Sequence, residues 1–324
     1  MKATRESYGE ALEKLGKKYK DIVVLDADLA EATQTKKFKK LYPKRFFDMG
    51  ISEQDMMGTA AGFAIGGKIP FASTFAIFAA GRAYEQIRNA IAYPNLNVKI
   101  AATHAGITVG EDGASHQAIE DISLMRTMPN MLVLSPCDDI ETKWAIEEAI
   151  KHNGPVYIRL TRPKVESIYG ENPDLQVVEN DEKQLLKEQK RNIKPKFEIG
   201  KMMVHGSGTD ATIFATGVEV QEALKAKNEL AKQNINIRVV DVHTIKPIDK
   251  ETVIKCAKET KKIITIEDHS IIGGLGSAIC EVLSEEYPTK VIRMGIKDEF
   301  GGSGKWHELL EHYNLTAKDI IEKI

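Results

Sequence analysis

Histidines and acids are concentrated in one polar segment of the sequence, residues 102–121, which reads ATHAGITVGEDGASHQAIED. Within it, His104 and Asp112 are eight residues apart, and His116 follows four residues later. Imidazole and carboxyl groups exchange protons and bind hydroxyl groups near neutral pH. The composition also suits a solvated loop. A zinc site has less support, because no second short ligand pair accompanies these residues. The segment is therefore a candidate catalytic loop.

A carboxyl group and two aromatic rings stand out before this segment. Ser52 begins a predicted helix and Asp55 lies three residues on, so Glu53 falls in the first helical turn. There its carboxylate complements the helix dipole or exchanges a proton with a bound heterocycle. Phe75 and Phe78 are three residues apart among alanines, which suits core packing or a stacking surface for an aromatic ring. The local patterns leave these alternatives open.

Two further segments have compositions found at anion-binding sites. RLTRP (159–163) follows the predicted strand PVYIRL, so Arg162 is expected at the strand's carboxyl end, where open parallel sheets bind ligands. Arg162 is then either a surface residue or a phosphate clamp. The glycine-rich segment 271–283 leads into a helix but lacks the Lys and Ser/Thr of a P-loop. A tight, closely packed turn is the better interpretation of that segment.

Short apolar runs alternate with helical patterns along the chain, which predicts parallel strands covered by helices. Residues 4–19 carry an apolar stripe typical of a helix. The alternation weakens after residue 173, residues 180–196 are dense in charge, and a second alternating unit follows. The predicted fold is α/β with two domains, each a mainly parallel sheet flanked by helices. The predicted boundaries are 1–175 for the first domain, 176–198 for a linker and 199–324 for the second domain.

Composition argues against several classes of function. The formal net charge of −2 offers no electrostatic basis for nucleic-acid binding. Cys137, Cys256 and Cys280 form neither a metal-binding spacing nor a disulfide framework, as expected in a reducing cytosol. No apolar segment approaches the length of a membrane span, and the N-terminus lacks the apolar core of a signal peptide. We therefore expect a cytoplasmic protein with neither membrane nor nucleic-acid partners.

The order and spacing of several segments resemble the transketolases over nearly the whole chain. The segments are Ala27-Asp28-Leu29, GISEQDM, STFAIF, THAGITVGEDGASHQ, SLMRTMPNM, RLTRP and IEDHSIIGGLGSAI. The resemblance implies a transferase of the pentose phosphate pathway that uses thiamine diphosphate and Mg²⁺ to move a two-carbon ketol unit between sugar phosphates. It also implies that the two predicted domains are the family's pyrimidine-binding and C-terminal domains.

The resemblance assigns five residues to the cofactor. Glu53 matches the glutamate that bonds the aminopyrimidine ring and helps to remove the proton from the thiazolium carbon. Phe75 and Phe78 match the aromatic residues around that ring. Asp28 matches an acid near the cofactor at the subunit interface, and Ile51 is assigned to cofactor binding with Glu53.

The resemblance assigns another five residues to the substrate. His104, Asp112 and His116 match residues that hold the hydroxyls of the donor sugar, and the two histidines also assist proton transfer. Arg162 and Arg5 match arginines that bind the sugar phosphate.

The sequence departs from the family pattern at two positions near these residues. A third aromatic residue is common in the pyrimidine-side cluster, but Gly81 stands there. A phosphate-contacting serine of some transketolases aligns with Ala32, with Thr33 and Thr35 nearby. Recognition of the donor phosphate is therefore expected to differ more than the core chemistry.

The GDG segment that binds the diphosphate and Mg²⁺ in thiamine-diphosphate enzymes does not occur in the sequence. A magnesium ion shared with phosphate oxygens needs oxygen ligands of that kind. We therefore expect one subunit of a split transketolase, whose N-terminal, diphosphate-binding partner holds the metal. The resemblance implies two copies of each chain, in an α2β2 assembly.

Three alternatives compete with this prediction. The 1-deoxyxylulose-5-phosphate synthases share the glutamate and the glycine-rich turn, but their loop resembles DRAGIVGADG, so His104 favours transketolase. The β subunits of 2-oxoacid dehydrogenases lack the double-histidine GEDG pattern. A non-catalytic regulatory subunit has no chemical need for Glu53 together with His104, Asp112 and His116.

Overall fold

The computed structural model describes residues 1–170 and 196–324. In these residues the chain forms a seven-stranded sheet, a five-stranded sheet and a two-stranded ribbon. Neighbouring strands are parallel except at one edge of each large sheet and in the ribbon. Helices flank both large sheets, so the prediction of a mainly parallel α/β fold is confirmed.

Residues 1–170 supply eight strands and seven α-helices. The strands are β1 (Lys2–Ala3), β2 (Ile22–Asp26), β3 (Phe46–Asp48), β4 (Ile69–Phe75), β5 (Lys99–Thr103), β6 (Leu132–Leu134), β7 (Val156–Arg159) and β8 (Lys164–Val165). The α-helices are α1 (Thr4–Lys18), α2 (Ala30–Thr33), α3 (Lys36–Leu41), α4 (Glu53–Ile65), α5 (Tyr84–Gln86), α6 (Asp121–Arg126) and α7 (Asp139–Lys151). Two π-helical segments (Ile77–Arg82 and Ile87–Ala92) and two 3₁₀ turns (Pro43–Arg45 and Ile107–Val109) complete this part.

Residues 196–324 supply six strands and five helices. The strands are β9 (Met203–His205), β10 (Ala211–Ala215), β11 (Ile237–Asp241), β12 (Thr244–Lys246), β13 (Ile263–Ser270) and β14 (Val291–Ile296). The helices are α8 (Glu219–Ala231), α9 (Lys250–Glu259), α10 (Leu275–Glu286), α11 (Trp306–His312) and α12 (Ala317–Ile321). None of the helices in the described part of the chain is both long enough and apolar enough to cross a lipid bilayer.

The predicted apolar stripe of the first helix is buried. Tyr8 and Leu12 are fully buried and Leu15 is 6 % exposed, while the charged face of α1 points to solvent. The Tyr8 hydroxyl lies 2.6 Å from the Ser73 hydroxyl of β4, so a polar contact also fixes α1 against the sheet. Helix α1 therefore covers the strands whose carboxyl ends carry the candidate site.

The two large sheets are linked by a strand that crosses between them. The seven-stranded sheet has the order β12-β6-β7-β5-β4-β2-β3, and the five-stranded sheet has the order β14-β13-β10-β11-β9. Strand β12 follows β11 of the second sheet in sequence, yet it pairs antiparallel with β6 at the edge of the first. The backbone N–H of Ser135 also donates to the carbonyl of His243 at 2.8 Å. The second part of the chain thus contributes directly to the first sheet.

The predicted linker falls mostly outside the described residues, since only 196–198 of 176–198 are described. The predicted domain boundaries therefore stay a prediction.

The glycine-rich segment is a tight turn around a buried carboxylate. Glu267 of β13 accepts hydrogen bonds from the backbone N–H groups of Leu275 (2.6 Å) and Gly276 (2.8 Å) at the start of α10. A Cβ atom on Gly274 would lie 2.0 Å from the Glu267 carboxylate. A side chain of the protein therefore occupies this helix N-terminus, in agreement with the predicted packing turn.

Candidate functional site

The residues with predicted chemical roles lie at one edge of the seven-stranded sheet. Strands β7, β5, β4, β2 and β3 are adjacent and parallel, so their carboxyl ends share that edge. Ligands bind at this edge in open parallel sheets. The residues at or just after these strand ends are Asp28 (β2), Glu53 (β3), Phe75 (β4), His104 (β5) and Arg162 (β7).

Glu53 is the first residue of α4, and its side chain is 2 % exposed. Ser52 is the N-cap residue, as predicted, but its side chain makes no capping hydrogen bond. The Glu53 carboxylate instead accepts from Arg82, whose Nη1 lies 3.0 Å from Oε1 and 2.9 Å from Oε2. A buried carboxylate is costly without such a partner. The ion pair therefore accounts for a charged group at this position.

Arg82 was not identified from the sequence. Its guanidinium carbon lies 4.6 Å from the centre of the Phe78 ring, so the cation also rests on an aromatic face. The available signal was a lone arginine that follows Phe75 and Phe78 in a run of small residues. That signal did not indicate Glu53, which lies 29 residues earlier.

Phe75 and Phe78 form what we call the aromatic platform. Their rings are nearly parallel, at an interplanar angle of 12° with centroids 5.8 Å apart. Phe75 is buried, but Phe78 lies on the π-helical segment Ile77–Arg82 and is only half-buried. Short π-helical segments are frequent at functional sites. The platform thus combines a core residue with a ring that is accessible from outside.

His104 stacks on the platform. Its ring centroid lies 3.9 Å from that of Phe75, and its Nδ1 lies 2.9 Å from the Thr103 hydroxyl. Burial lowers the pKa of His104 to about 3, and the nearby cations Arg5 and Arg162 contribute to the shift. The imidazole is therefore neutral at pH 7. A neutral ring offers one hydrogen-bond donor and one acceptor.

His116 meets the same platform edge-on. Its ring centroid is 5.5 Å from Phe78 and 6.2 Å from Phe75, and its Nδ1 lies 2.9 Å from the Ser115 hydroxyl. The structure therefore brings His104 and His116 to one aromatic surface although they are 12 residues apart in sequence. This arrangement is suited to holding a polar ligand between two imidazoles.

Arg162 lies where the loop of residues 104–117 turns back. Its guanidinium donates to the backbone carbonyl of Val109 and, at 3.0 Å, to the Glu111 carboxylate. Asp112 is 3.8 Å from the same nitrogen. The structure thus places Asp112 beside Arg162. Both acids are largely exposed, so these pairs are weak, and an incoming anion can replace them.

Arg5 is the second cation of the group. Its Nη1 donates to the carbonyl of Ala32 at 2.7 Å, and its buried Nε has no hydrogen-bond partner among the described residues. Burial lowers the pKa of Arg5, and Arg162 lowers it further, although Glu6 acts in the opposite direction. The positive charges of the two arginines thus repel each other. An anion bound between them would relieve that repulsion.

The threonines near Ala32 are engaged by a carboxylate that sequence reasoning missed. Asp26, the last residue of β2, accepts from the hydroxyls of Thr33 at 2.7 Å and Thr35 at 2.8 Å. It also accepts from the backbone N–H of Leu29 at 2.6 Å. Both hydroxyls are fully buried, so neither replaces the phosphate-contacting serine of some transketolases.

Asp28 and Ile51 are on the outside of the site. Asp28 is exposed and adopts left-handed backbone geometry (φ 61°) directly after β2. Ile51, two residues before Glu53, is 76 % exposed. Their predicted roles in cofactor binding stay a prediction.

Two parts of the sequence match known protein families. Residues 1–167 match "Transketolase, pyrimidine binding domain" and residues 200–320 match "Transketolase, C-terminal domain".

Individual relatives fall into two length classes. A "putative transketolase C-terminal section" from Methanocaldococcus jannaschii is 51 % identical, with 100 % of this chain and 95 % of the relative covered. A "6-deoxy-6-sulfo-D-fructose transketolase subunit" from Clostridium sp. is 40 % identical, with 98 % and 92 % covered. In contrast, rat transketolase is 36 % identical, and the chain covers 48 % of its length.

A solved structure supports the same relationship. The structure described as "split gene transketolase, inactive beta4 tetramer" superimposes with a TM-score of 0.86. It is 49 % identical in sequence, and the match covers 99 % of this chain and 97 % of that one.

Proposed function

The chain belongs to the transketolase family, and from that premise we propose that it is the pyrimidine-side subunit of a two-chain transketolase. The proposed reaction transfers a two-carbon ketol unit from an anionic ketose, typically a phosphate ester, to an aldose phosphate. The observation that carries the proposal is Glu53 beside an aromatic platform that His104 and His116 flank. A cytoplasmic location remains the prediction made from the sequence.

The residues present fit the pyrimidine half of thiamine diphosphate. The half-buried Phe78 ring offers an accessible surface for stacking, and the Glu53 carboxylate, which is bound to the Arg82 cation on that ring, is an acceptor for a ring N–H. When bound, thiamine diphosphate supplies a nucleophilic carbon that cleaves the bond beside a ketone carbonyl and retains the two-carbon fragment. Glu53 would hold and move the proton of the pyrimidine ring.

The residues present do not fit the diphosphate and Mg²⁺. The sequence has no GDG segment. In the described ranges 1–170 and 196–324, the three-residue cluster with metal-ligand spacing is Cys137, Glu141 and Asp241, which is fully buried. A thiol-containing set is a poor match for the hard Mg²⁺ ion, which prefers oxygen ligands. We therefore assign the metal and the diphosphate to a partner chain, in an assembly with two copies of each chain.

The remaining residues would recognise the sugar. The neutral His104 and the half-buried His116 can donate to and accept from hydroxyl groups above the platform. Arg162 and Arg5 supply two positive charges for the distal anion of the sugar, and a charge-assisted bond of this kind is strong. A sulfonate is also an anion, and the Clostridium relative is named for a sulfo-sugar. The donor class is therefore a ketose with a terminal anion.

Reconstitution tests the proposal. The pure chain should show neither ketol transfer nor tight thiamine diphosphate binding, whereas addition of a diphosphate-domain subunit from the same source should restore both. Support comes from the similar split-gene transketolase structure, whose β4 tetramer is described as inactive. Ketol transfer by the isolated chain would contradict the split-enzyme proposal. Pyruvate decarboxylation in place of ketol transfer by the mixture would move the function to another thiamine-diphosphate reaction.

A further inference from the structure

A carboxylate of the second sheet lies directly beneath the 104–117 loop. Asp268 of β13 is 1 % exposed, and its Oδ1 accepts from the backbone N–H of Ile107 at 2.7 Å. Its Oδ2 accepts from the Thr108 hydroxyl at 2.6 Å and lies 3.4 Å from the Thr108 backbone nitrogen. One buried side chain thus binds two consecutive residues of the 3₁₀ turn that follows His104.

The contact leaves no room for a side chain at position 106. Gly106 has a φ of +76°, and a Cβ atom there would lie 2.1 Å from Asp268 Oδ2. Only glycine fits at this position, because both the backbone geometry and the carboxylate exclude a side chain. The backbone N–H of Gly106 also donates to the carbonyl of Ala118 at 2.9 Å, which closes the loop on itself.

Asp268 is itself held in place by the first sheet. Arg159 of β7 is 1 % exposed and donates from Nη2 to the Asp268 backbone carbonyl at 2.7 Å. The same guanidinium donates from Nε to the buried Asp121 carboxylate at 2.9 Å. A buried arginine that is hydrogen-bonded to both a carboxylate and a carbonyl is rigid. The position of Asp268 relative to the candidate site is therefore well defined.

The 3₁₀ turn connects Asp268 to both substrate-facing groups. His104, with left-handed φ of 57°, lies two residues before Gly106. At the other end of the turn, the carbonyl of Val109 accepts from the Arg162 guanidinium. A shift of the turn would therefore move the imidazole and the guanidinium together. Geometric errors of about 1 Å are enough to cost roughly 10²-fold in rate.

We propose that Asp268 is a positioning residue by which the C-terminal part of the chain sets the conformation of the 104–117 loop for substrate binding. The proposal rests on the proposed function for the identity of the substrate, but not for the contact itself. It assigns the second sheet a direct part in the site. It does not make Asp268 a catalytic residue, since the carboxylate is buried beneath the loop and reaches no substrate.

Hydrogen exchange of the full-length chain tests the contact without any activity. In Asp268→Asn the backbone amides of Ile107 and Thr108 should exchange roughly 10- to 100-fold faster, since a hydrogen bond to a charged acceptor is lost or weakened. The matched control is Glu267→Gln, the neighbouring buried carboxylate, which binds the amides of Leu275 and Gly276. It should release those amides and leave the loop protected. Unchanged exchange of the loop in Asp268→Asn would overturn the proposal.

Kinetics of the reconstituted enzyme test the consequence. Asp268→Asn should lower kcat/KM for the donor sugar at least tenfold, while proton exchange at the thiazolium carbon keeps the wild-type rate. Glu53 and the aromatic platform make no hydrogen bond to Asp268 in the described chain, so a local effect spares them. Equal losses in both measurements would indicate a general structural role and overturn the proposal.

Two further results distinguish a folding defect from loss of the contact, and failure of this proposal from failure of the proposed function. If Asp268→Asn does not fold, Thr108→Val removes the loop-side hydroxyl and should give the same selective loss of kcat/KM at smaller size; a wild-type kcat/KM in this variant would overturn the proposal. If the wild-type complex shows no ketol transfer but the Asp268→Asn loop exchanges faster, the contact stands and the proposed function fails.

Discussion

The residues around Glu53 and those around His104 share one sheet edge but are held by different means. The Glu53 carboxylate is bound by Arg82, whose side chain is 49 % exposed. The adjoining Phe78 ring is half-buried. The His104 loop, in contrast, is fixed from beneath by the fully buried Asp268 and Arg159. We call the first region the cofactor side and the second the substrate side. Under the proposed function, the difference means that contacts within this chain fix the region that would bind the sugar, whereas the region that would bind the cofactor has the open form expected where a second chain adds contacts.

The largest expected effect falls on the cofactor side. Glu53→Gln keeps the shape of the side chain but removes the carboxylate that would move the pyrimidine proton, so proton exchange at the thiazolium carbon should slow by ~10²–10⁴. The measurement is hydrogen–deuterium exchange of thiamine diphosphate bound to the reconstituted enzyme. A carboxylate introduced at the neighbouring position by Gln54→Glu should not replace that of Glu53, because Gln54 is exposed and its side chain donates to the carbonyl of Arg82. Exchange at the wild-type rate in Glu53→Gln would remove Glu53 from the proposed role.

The next effect should be confined to the substrate side. His104→Ala and His116→Ala should each reduce ketol transfer by about 10²-fold, the lower end of the range for loss of an acid–base group. Binding of thiamine diphosphate to the complex should change little, and equilibrium titration measures it. His307→Ala, at an exposed position on α11, is the control for the substitution itself. A large loss of cofactor affinity with normal turnover at saturation would show that these histidines belong to the cofactor side.

A smaller effect should follow from the cations of the substrate side. Arg162→Ala should raise the KM for sugar phosphates by roughly tenfold to a hundredfold, since a charge-assisted contact contributes about 1.5–3 kcal/mol. Unphosphorylated ketoses should be much less affected, and steady-state kinetics with both donors measures the contrast. Equal losses for both donors would mean that Arg162 supports the loop through Val109 and does not bind the anion.

Local patterns predicted the elements of the site but not its long-range contacts. The buried stripe of α1, the α4 helix start at Glu53 and the parallel strand ends all follow from short-range periodicity. The contact of Glu53 with Arg82 spans 29 residues, and that of Ile107 with Asp268 spans 161. Such pairs depend on how whole elements pack, which no local spacing encodes. For the same reason the crossing of β12 into the first sheet was not anticipated.

The smallest expected effect concerns Arg82, and it tests whether the cofactor side is really the less fixed of the two. Arg82→Gln removes the cation that pairs with Glu53. Solvent screens the half-exposed Arg82 but not the buried Glu53 carboxylate, so the loss in free energy of unfolding should be about 1–2 kcal/mol.

The structural consequence should nevertheless be confined to one side. In Arg82→Gln the first hydrogen-bonded amides of α4, starting with that of Met56, should lose protection in hydrogen exchange, because Glu53 is left buried without its partner. The Ile107 and Thr108 amides, which Asp268 holds, should exchange as in the wild-type chain. Arg88→Gln, at an exposed arginine whose Nη1 contacts only the neighbouring Asn89 side chain among the described residues, is the matched control.

If Arg82→Gln disturbs both sides equally, the two halves of the site are one cooperative unit and the contrast between them is wrong. If it disturbs only the cofactor side, the ion pair acts locally, and a partner chain that brings its own contacts to Glu53 could replace it without disturbing the substrate side.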